Sequence, residues 1–123
     1  MRVKFTSAST LVSKLKEARE RNTLTRNMAT FTRPTLLIID EVGFTPLDAD
    51  EAALLFEVVC ARYERGSIIL TSNKGYTDWA EIFSGDSVIA TAMLDRLLHH
   101  SKTFVLKGES YRMREHKEVK ELT

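Results

Sequence analysis

Cysteine is almost missing from this sequence. Cys60 stands alone among 123 residues, so no internal disulfide can form. It falls inside an apolar pattern of helical spacing and reads as a small core residue in a reducing compartment. Long hydrophobic runs are also missing: nothing approaches the roughly 18 to 20 apolar residues of a membrane span. The opening MRVKFTSAST has no hydrophobic segment behind its charges, which excludes a secretory leader on this reading. The adjacent His99 and His100 have no further Cys or His at ligand spacing. They are read as partners of a helix C-terminal dipole rather than metal ligands. Internal repeats, low-complexity tracts and interdomain linkers are absent too. What remains is 43% apolar and 28% charged, enough for one real core and too ordinary for disorder. The expectation is a single cytoplasmic α/β domain with no membrane contact.

Charge is nearly balanced overall, at +1, but unevenly spread. Residues 1–33 hold eight Lys/Arg against two acids, a block of +6, whereas residues 34–66 hold two against seven, a block of −5. Nucleic-acid affinity is dominated by cations set against phosphates. The basic block therefore offers Lys14, Lys16, Arg19 and Arg21, with Arg26 and Arg33 beyond them, as a DNA-binding surface. The other reading is a solvated helix face. No aromatic residue falls among the cations from Lys14 to Arg26, so base stacking is not signalled there.

Strand and helix patterns alternate along the chain, which predicts a mainly parallel sheet flanked by helices. VKFT opens as a strand, followed by a helix that aligns Leu11, Val12, Leu15 and Ala18, with Ser7 or Ser9 as N-cap. TLTRNMATF is a weaker helical patch closed by Pro34. TLLIID is continuously apolar, as a strand buried on both faces reads. After the loop GFTPLDAD, Asp48 or Asp50 caps a helix that aligns Ala52, Leu55, Phe56, Val59 and Tyr63 and stops at Gly66. SIILTSN is a third buried strand. YTDWAEIF and SVIATAMLDRLLHH are helices, with Trp79 and Phe83 as packing residues. TFVLK is a fourth strand, and the charged tail from Glu109 is a helix or frays.

The chemistry gathers where the strands end. In parallel α/β sheets, ligands bind outside the carboxyl ends of the strands. One strand ends in Asp40-Glu41 and the next in Thr71-Ser72-Asn73. Neighbouring side chains at a strand end point different ways, so two carboxylates can divide their duties. One can hold Mg²⁺, directly or through water. The other can polarise a water for attack on a phosphoryl group. An Asn on the adjacent strand can hold that water or the terminal phosphate. Each element alone has a plainer reading as loop or turn chemistry. Their order, an apolar strand ending in Asp-Glu, a helix, then a strand ending in Ser-Asn, is the Walker B and sensor 1 arrangement of AAA+ ATPases.

The block LLIIDEVGFTPLDADEAALLFEVVCARYERGSIILTSN closely resembles the centre of the IstB-like transposition helper ATPases, relatives of the DnaC helicase loader. The likeness extends through DWAEIFSGDSVIATAMLDRLLHHSKTFVLKGESYRMRE and back to VKFTSASTLVSKLKEAR. The resemblance implies a P-loop NTPase (AAA+) fold with ATP and Mg²⁺ as cofactors, DNA and a transposase as partners, and self-association. Position by position, it implies Asp40 as the magnesium-associated aspartate, Glu41 as the water-activating base and Asn73 as sensor 1. Arg96 becomes the arginine that reaches a neighbouring subunit's nucleotide, its alternative being a salt bridge with Asp95 or Asp86. Arg62 and Arg65 are further interface candidates.

One signature of that family is not here. None of the five glycines, at 43, 66, 75, 85 and 108, begins the phosphate-cradling pattern G-x-x-x-x-G-K-S/T. The expectation is a truncated AAA+ core, 1–123, with the first strand and P-loop absent. In the family's strand order, 5-1-4-3-2, that leaves SIILT with an exposed edge, open to pairing with another chain. The leading reading is a fragment of a transposition helper ATPase, nucleotide-deficient by itself. The alternatives are a helicase-loader-type ATPase and a non-catalytic remnant that binds a partner through its sheet edge.

Overall fold

The computed structural model describes residues 1–63 and 65–99, together with the backbone of two strands at 103–107 and 118–122. Three parallel strands carry the fold: β1 (Val3–Ser7), β2 (Leu36–Val42) and β3 (Ser67–Ser72), in the order β1-β2-β3. This is the order that the resemblance assigns to the family's second, third and fourth strands. The β1–β2 crossover holds α1 (Ala8–Glu20) and α2 (Leu24–Thr32), and the β2–β3 crossover holds α3 (Ala49–Arg62). After β3 come a single 3₁₀ turn (Tyr76–Asp78), α4 (Trp79–Ile82) and α5 (Ser87–Leu98).

Capping chemistry sets the helix starts. The Ser7 hydroxyl accepts the Thr10 N–H at 3.1 Å, and Asp86 accepts those of Val88 and Ile89 at 3.0 and 3.1 Å. Asp48 and Glu51 form a reciprocal capping box at the start of α3, with bonds of 2.9 and 3.0 Å. The last turn of α2 stops two residues short of Pro34, as a proline requires.

The core lies between one face of the sheet and the helices. Leu37, Ile39 and Val42 of β2 meet Leu11 and Leu15 of α1, Leu55 and Val58 of α3, and Ile82 and Met93 beyond β3. Trp79 and Phe83 pack here as expected, their rings 6.1 Å apart. Cys60 is free and half-buried. His99 is the C-cap residue of α5, its ring 5.5 Å from that of Tyr63; His100 and the GESYR element lie outside the described residues.

Four expectations need correction. First, β2 and β3 are not buried on both faces among the described residues. The opposite face leaves Val3, Phe5 and Ile69 exposed and Ile38 half-buried. The two crossovers step the same way across the sheet, and right-handed connections then put α1 and α3 on one side. Second, TFVLK does not join the parallel sheet. As β4 (Thr103–Lys107) it pairs antiparallel with β5 (Glu118–Leu122), in a tail expected to be helical or frayed. Val119 and Leu122 stand at helical spacing, three residues apart, and pairing with β4 rather than local pattern makes this segment a strand. Third, α3 ends at Arg62, not Gly66, because Tyr63 leaves the helical conformation. Fourth, Arg62 is no interface residue. It is 1% exposed, and its guanidinium donates to the carbonyls of Phe31, Thr32, Pro34, Thr35 and Ser67. Gly66 makes room for it, since a methyl there would stand 2.6 Å from Arg62 Nη2.

Candidate active site at the carboxyl ends of β2 and β3

Strand parity poses a problem for the acidic pair. Leu37 and Ile39 face the core, so by simple alternation residue 41 would face it too, burying a carboxylate. The sheet avoids this with a bulge. Ile39 lies opposite Leu70 and Val42 opposite Ser72, so Asp40 and Glu41 together face the single residue Thr71. A two-against-one mismatch re-aims side chains, and such bulges are over-represented beside active sites. Val42 takes the core position and is fully buried, while Glu41 turns out to solvent. The cost falls on Glu41, which adopts a left-handed φ of +62°.

Hydroxyl groups on β3 hold the bulge. Thr71 Oγ1 donates to Asp40 Oδ1 and accepts the Glu41 N–H at 3.0 Å. Ser72 Oγ donates to the Val42 carbonyl at 2.6 Å and accepts the Lys74 N–H at 3.1 Å. The turn after β2 passes through Gly43 at φ +95°, where a methyl group would stand 3.1 Å from Asn73 Oδ1 and from Ile82 Cδ1. Asn73 therefore rests against the turn that follows the acidic pair. The loop behind it is fixed by Trp79 Nε1, which donates to the Lys74 carbonyl at 3.3 Å, and by a 3.6 Å ion pair between Lys74 and Glu81.

Asp40, Glu41 and Asn73 thus share one strand-end corner. Thr71 belongs with them, although the strand-end pattern in the sequence points first to Asn73. Only a register map reveals that one threonine faces two acids. Arg96 is elsewhere. From α5 it lies over the rings of Phe56 (5.3 Å) and Tyr63 (5.9 Å) on α3, and it forms no ion pair with Asp95 or Asp86 among the described residues.

The donor set bears on the metal. Among the described residues no cluster of three or more His, Cys, Asp or Glu could hold an ion unaided. Asp40 with Glu41 beside it instead fits Mg²⁺, which keeps several waters and takes one or two carboxylates together with substrate phosphates.

The basic residues separate into two groups. Lys16 and Arg19 reach across to the start of α3, each at 3.7 Å, from Glu51 and Asp50 respectively. Arg21 pairs with Glu17 within α1 at 2.9 Å. Lys14 forms no ion pair among the described residues, and with Arg21 and Arg26 it lines a shallow depression of about 340 Å³ between α1 and α2. A neighbouring hollow is lined by Arg26 and Arg33 with Asn22, Thr23 and Thr25.

Comparison with known proteins bears on this geometry. The family model described as "IstB-like ATP binding protein" matches residues 1–119. The chain is 55% identical over 111 residues to the insertion sequence IS5376 putative ATP-binding protein of Geobacillus stearothermophilus, covering 90% of this chain and 44% of that protein. It is 48% identical over 122 residues to the insertion sequence IS21 putative ATP-binding protein of Pseudomonas aeruginosa, covering 99% of this chain and 46% of that one. The chain therefore spans less than half the length of these relatives. Among solved structures, AMPPCP-bound DnaA from Aquifex aeolicus superposes with a TM-score of 0.63 at 18% identity, over 75% of this chain and 28% of that one. The DnaC helicase loader does so with a TM-score of 0.54 at 20% identity, over 79% and 52%. These two likenesses establish the fold.

Proposed function

The chain belongs to the IstB-like ATP-binding proteins, and on that footing we propose that it supplies the magnesium- and water-positioning side of a transposition helper's ATPase site. The observation that carries this reading is the bulge, which gives adjacent carboxylates different surroundings: Asp40 half-buried and bonded to Thr71, Glu41 turned outward. Asp40 is the residue that would hold Mg²⁺. The ion, when bound with ATP, supplies charge neutralisation at the phosphate oxygens. Glu41 accepts a proton from the attacking water, and Asn73 orients that water or the terminal phosphate. Arg96 serves a neighbouring subunit, where a planar, permanently charged fork suits phosphate oxygens. The phosphate-cradling pattern does not occur in these 123 residues, so they hold only this side of such a site. The chain is then one part of an AAA+ core whose ATP-dependent assembly on DNA activates a transposase.

Titration of a fluorescent ATP analogue with Mg²⁺ tests the site. Binding that needs Mg²⁺ and falls on Asp40→Asn supports it. No binding at millimolar nucleotide removes an ATPase role from the isolated chain. Where turnover is seen, Glu41→Gln keeps nucleotide and stops hydrolysis; unchanged turnover would take the base role away from Glu41.

The same footing supports a DNA surface on α1 and α2. Lys14, Arg26 and Arg33 form no ion pair among the described residues and lead it, while Arg21 is paired with Glu17 and Lys16 and Arg19 are drawn toward the acids of α3. A helicase-loader role shares this fold, and no residue here favours it over the helper.

A further inference from the structure

We propose that Thr71 is a positioning residue: its hydroxyl holds Asp40 and Glu41 in their separate roles, an assignment that rests on the ATPase reading above. The hydrogen-bond polarity allows only one arrangement. The Glu41 backbone N–H is a donor and nothing else, so Thr71 Oγ1 accepts it, at 3.0 Å. The single hydroxyl proton is left for the carboxylate, and it goes to Asp40 Oδ1. One side-chain oxygen therefore bonds the backbone of one acid and the side chain of the other.

Two consequences follow. Oδ1 of Asp40 is engaged, which leaves Oδ2 as the oxygen for a cation or its water. Glu41 is held at a φ of +62°, a conformation that residues with a Cβ avoid, and its amide bond to Thr71 offsets part of that preference. If the Glu41 peptide relaxed to an extended conformation, strand alternation would carry its carboxylate toward the core face. Packing gives no other reason for the residue. Thr71 is exposed, on the sheet face opposite the helices, and contributes nothing to the buried cluster. Ser72 secures the far side of the bulge through Val42, which leaves the acidic side to Thr71.

Thr71→Val keeps the shape and removes both bonds, and Thr71→Ser keeps both bonds. Amide exchange of ¹⁵N-labelled chains, without ligand, reads the backbone half. Glu41 exchange is expected about tenfold faster in the Val variant, the factor corresponding to one hydrogen bond of ordinary net strength. It should stay within about threefold of wild type in the Ser variant, with the thermal midpoint lowered by no more than a few degrees in the Val variant and unchanged in the Ser variant. Line broadening by added Mn²⁺ alone reads the side-chain half. It should centre on Asp40 in wild type and Thr71→Ser, and spread equally over Asp40 and Glu41 in Thr71→Val. Equal Glu41 exchange in all three proteins, or the same Mn²⁺ pattern in all three, overturns the assignment. Failure of the wild type to bind Mg²⁺ with the ATP analogue is a separate result. It strikes the ATPase reading, and the exchange data still decide whether Thr71 controls Glu41.

Discussion

Single residues decide more here than their sequence context shows. Arg62 occupies the last turn of α3, where a cation ordinarily answers the helix dipole from the surface. Instead it is buried and tied to five backbone carbonyls, joining the α2–β2 connection to the start of β3. No carboxylate accompanies it among the described residues, and its Nε has no partner. Desolvation by burial lowers its pKa below the ordinary arginine value. The sign of the linkage is simple: below the lowered value both folded and unfolded chains hold the proton, so Arg62 adds no pH dependence there. Stability would rise with pH only between the folded and unfolded values. We expect Arg62→Met to cost more than about 3 kcal/mol, because five backbone carbonyls in and around the core lose a charged donor at once. Arg62→Lys should recover only part of this, since an ammonium has no fork; urea midpoints at neutral pH measure both. Gly43 is the second decisive residue. Its φ is +95°, and an alanine methyl there would sit only 3.1 Å from Asn73 Oδ1 and Ile82 Cδ1. Gly43→Ala should therefore cost about 1–3 kcal/mol. It should also shift the Asn73 side-chain amide resonances, which an NMR spectrum would register.

At the scale of elements, what could be read in advance was what depends on neighbours in sequence. Ser7 and Asp48, each one of two candidates in the sequence, cap the helices they precede, because a cap needs only a side-chain oxygen two or three residues before a free N–H. Asp48→Ala should therefore cost about 1 kcal/mol by thermal denaturation, and Glu51→Ala less, since it loses the reciprocal bond and a long, part-exposed ion pair with Lys16 but keeps the Asp48 cap. The three parallel strands and the acidic strand end were likewise visible in TLLIID and SIILTSN. What depends on partners far along the chain was not. The apolar run SIIL reads as buried on both faces, yet Ile69 is 50% exposed, because crossover direction and not composition decides which face helices cover. The bulge is invisible for the same reason: Asp40-Glu41 shows two acids, and only pairing with Thr71 shows that one is turned out. Charge along α1 follows this pattern as well. Lys14, Lys16, Arg19 and Arg21 look alike in sequence, but the start of α3 claims two of them. Charge reversal at Lys14 or Arg26 should then weaken DNA binding more than reversal at Lys16. A mobility shift over a range of salt measures this, with the log–log slope flattening as a phosphate contact is lost. Equal effects at all these positions, or binding that ignores salt, would return the block to a solvated face.

For the whole molecule, the question is what the uncovered side of the sheet does. The row Phe5–Ile38–Ile69 runs across three paired strands, with Phe5 62% and Ile69 50% exposed, and Val3 adds to it at 51%. The two sheet edges differ. β1 carries Lys4 and follows Arg2, charges of the kind that discourage strand addition, whereas β3 has no charge, proline or bulge of its own. An uncharged edge beside an apolar face is a pairing site, and a net charge of +1 gives copies little reason to repel one another. We therefore expect the isolated chain to self-associate as its concentration rises, through β3. Ile69→Lys places a charge on that edge and face without touching the buried cluster. It should reduce the associated fraction severalfold in sedimentation velocity while leaving the thermal midpoint of the monomer in place. A matching Phe5→Lys change, on the protected edge, separates the two surfaces: a similar loss of association would mean that the open face, and not the β3 edge, brings the copies together. A wild-type chain that stays monomeric at every concentration would remove self-pairing through this edge altogether.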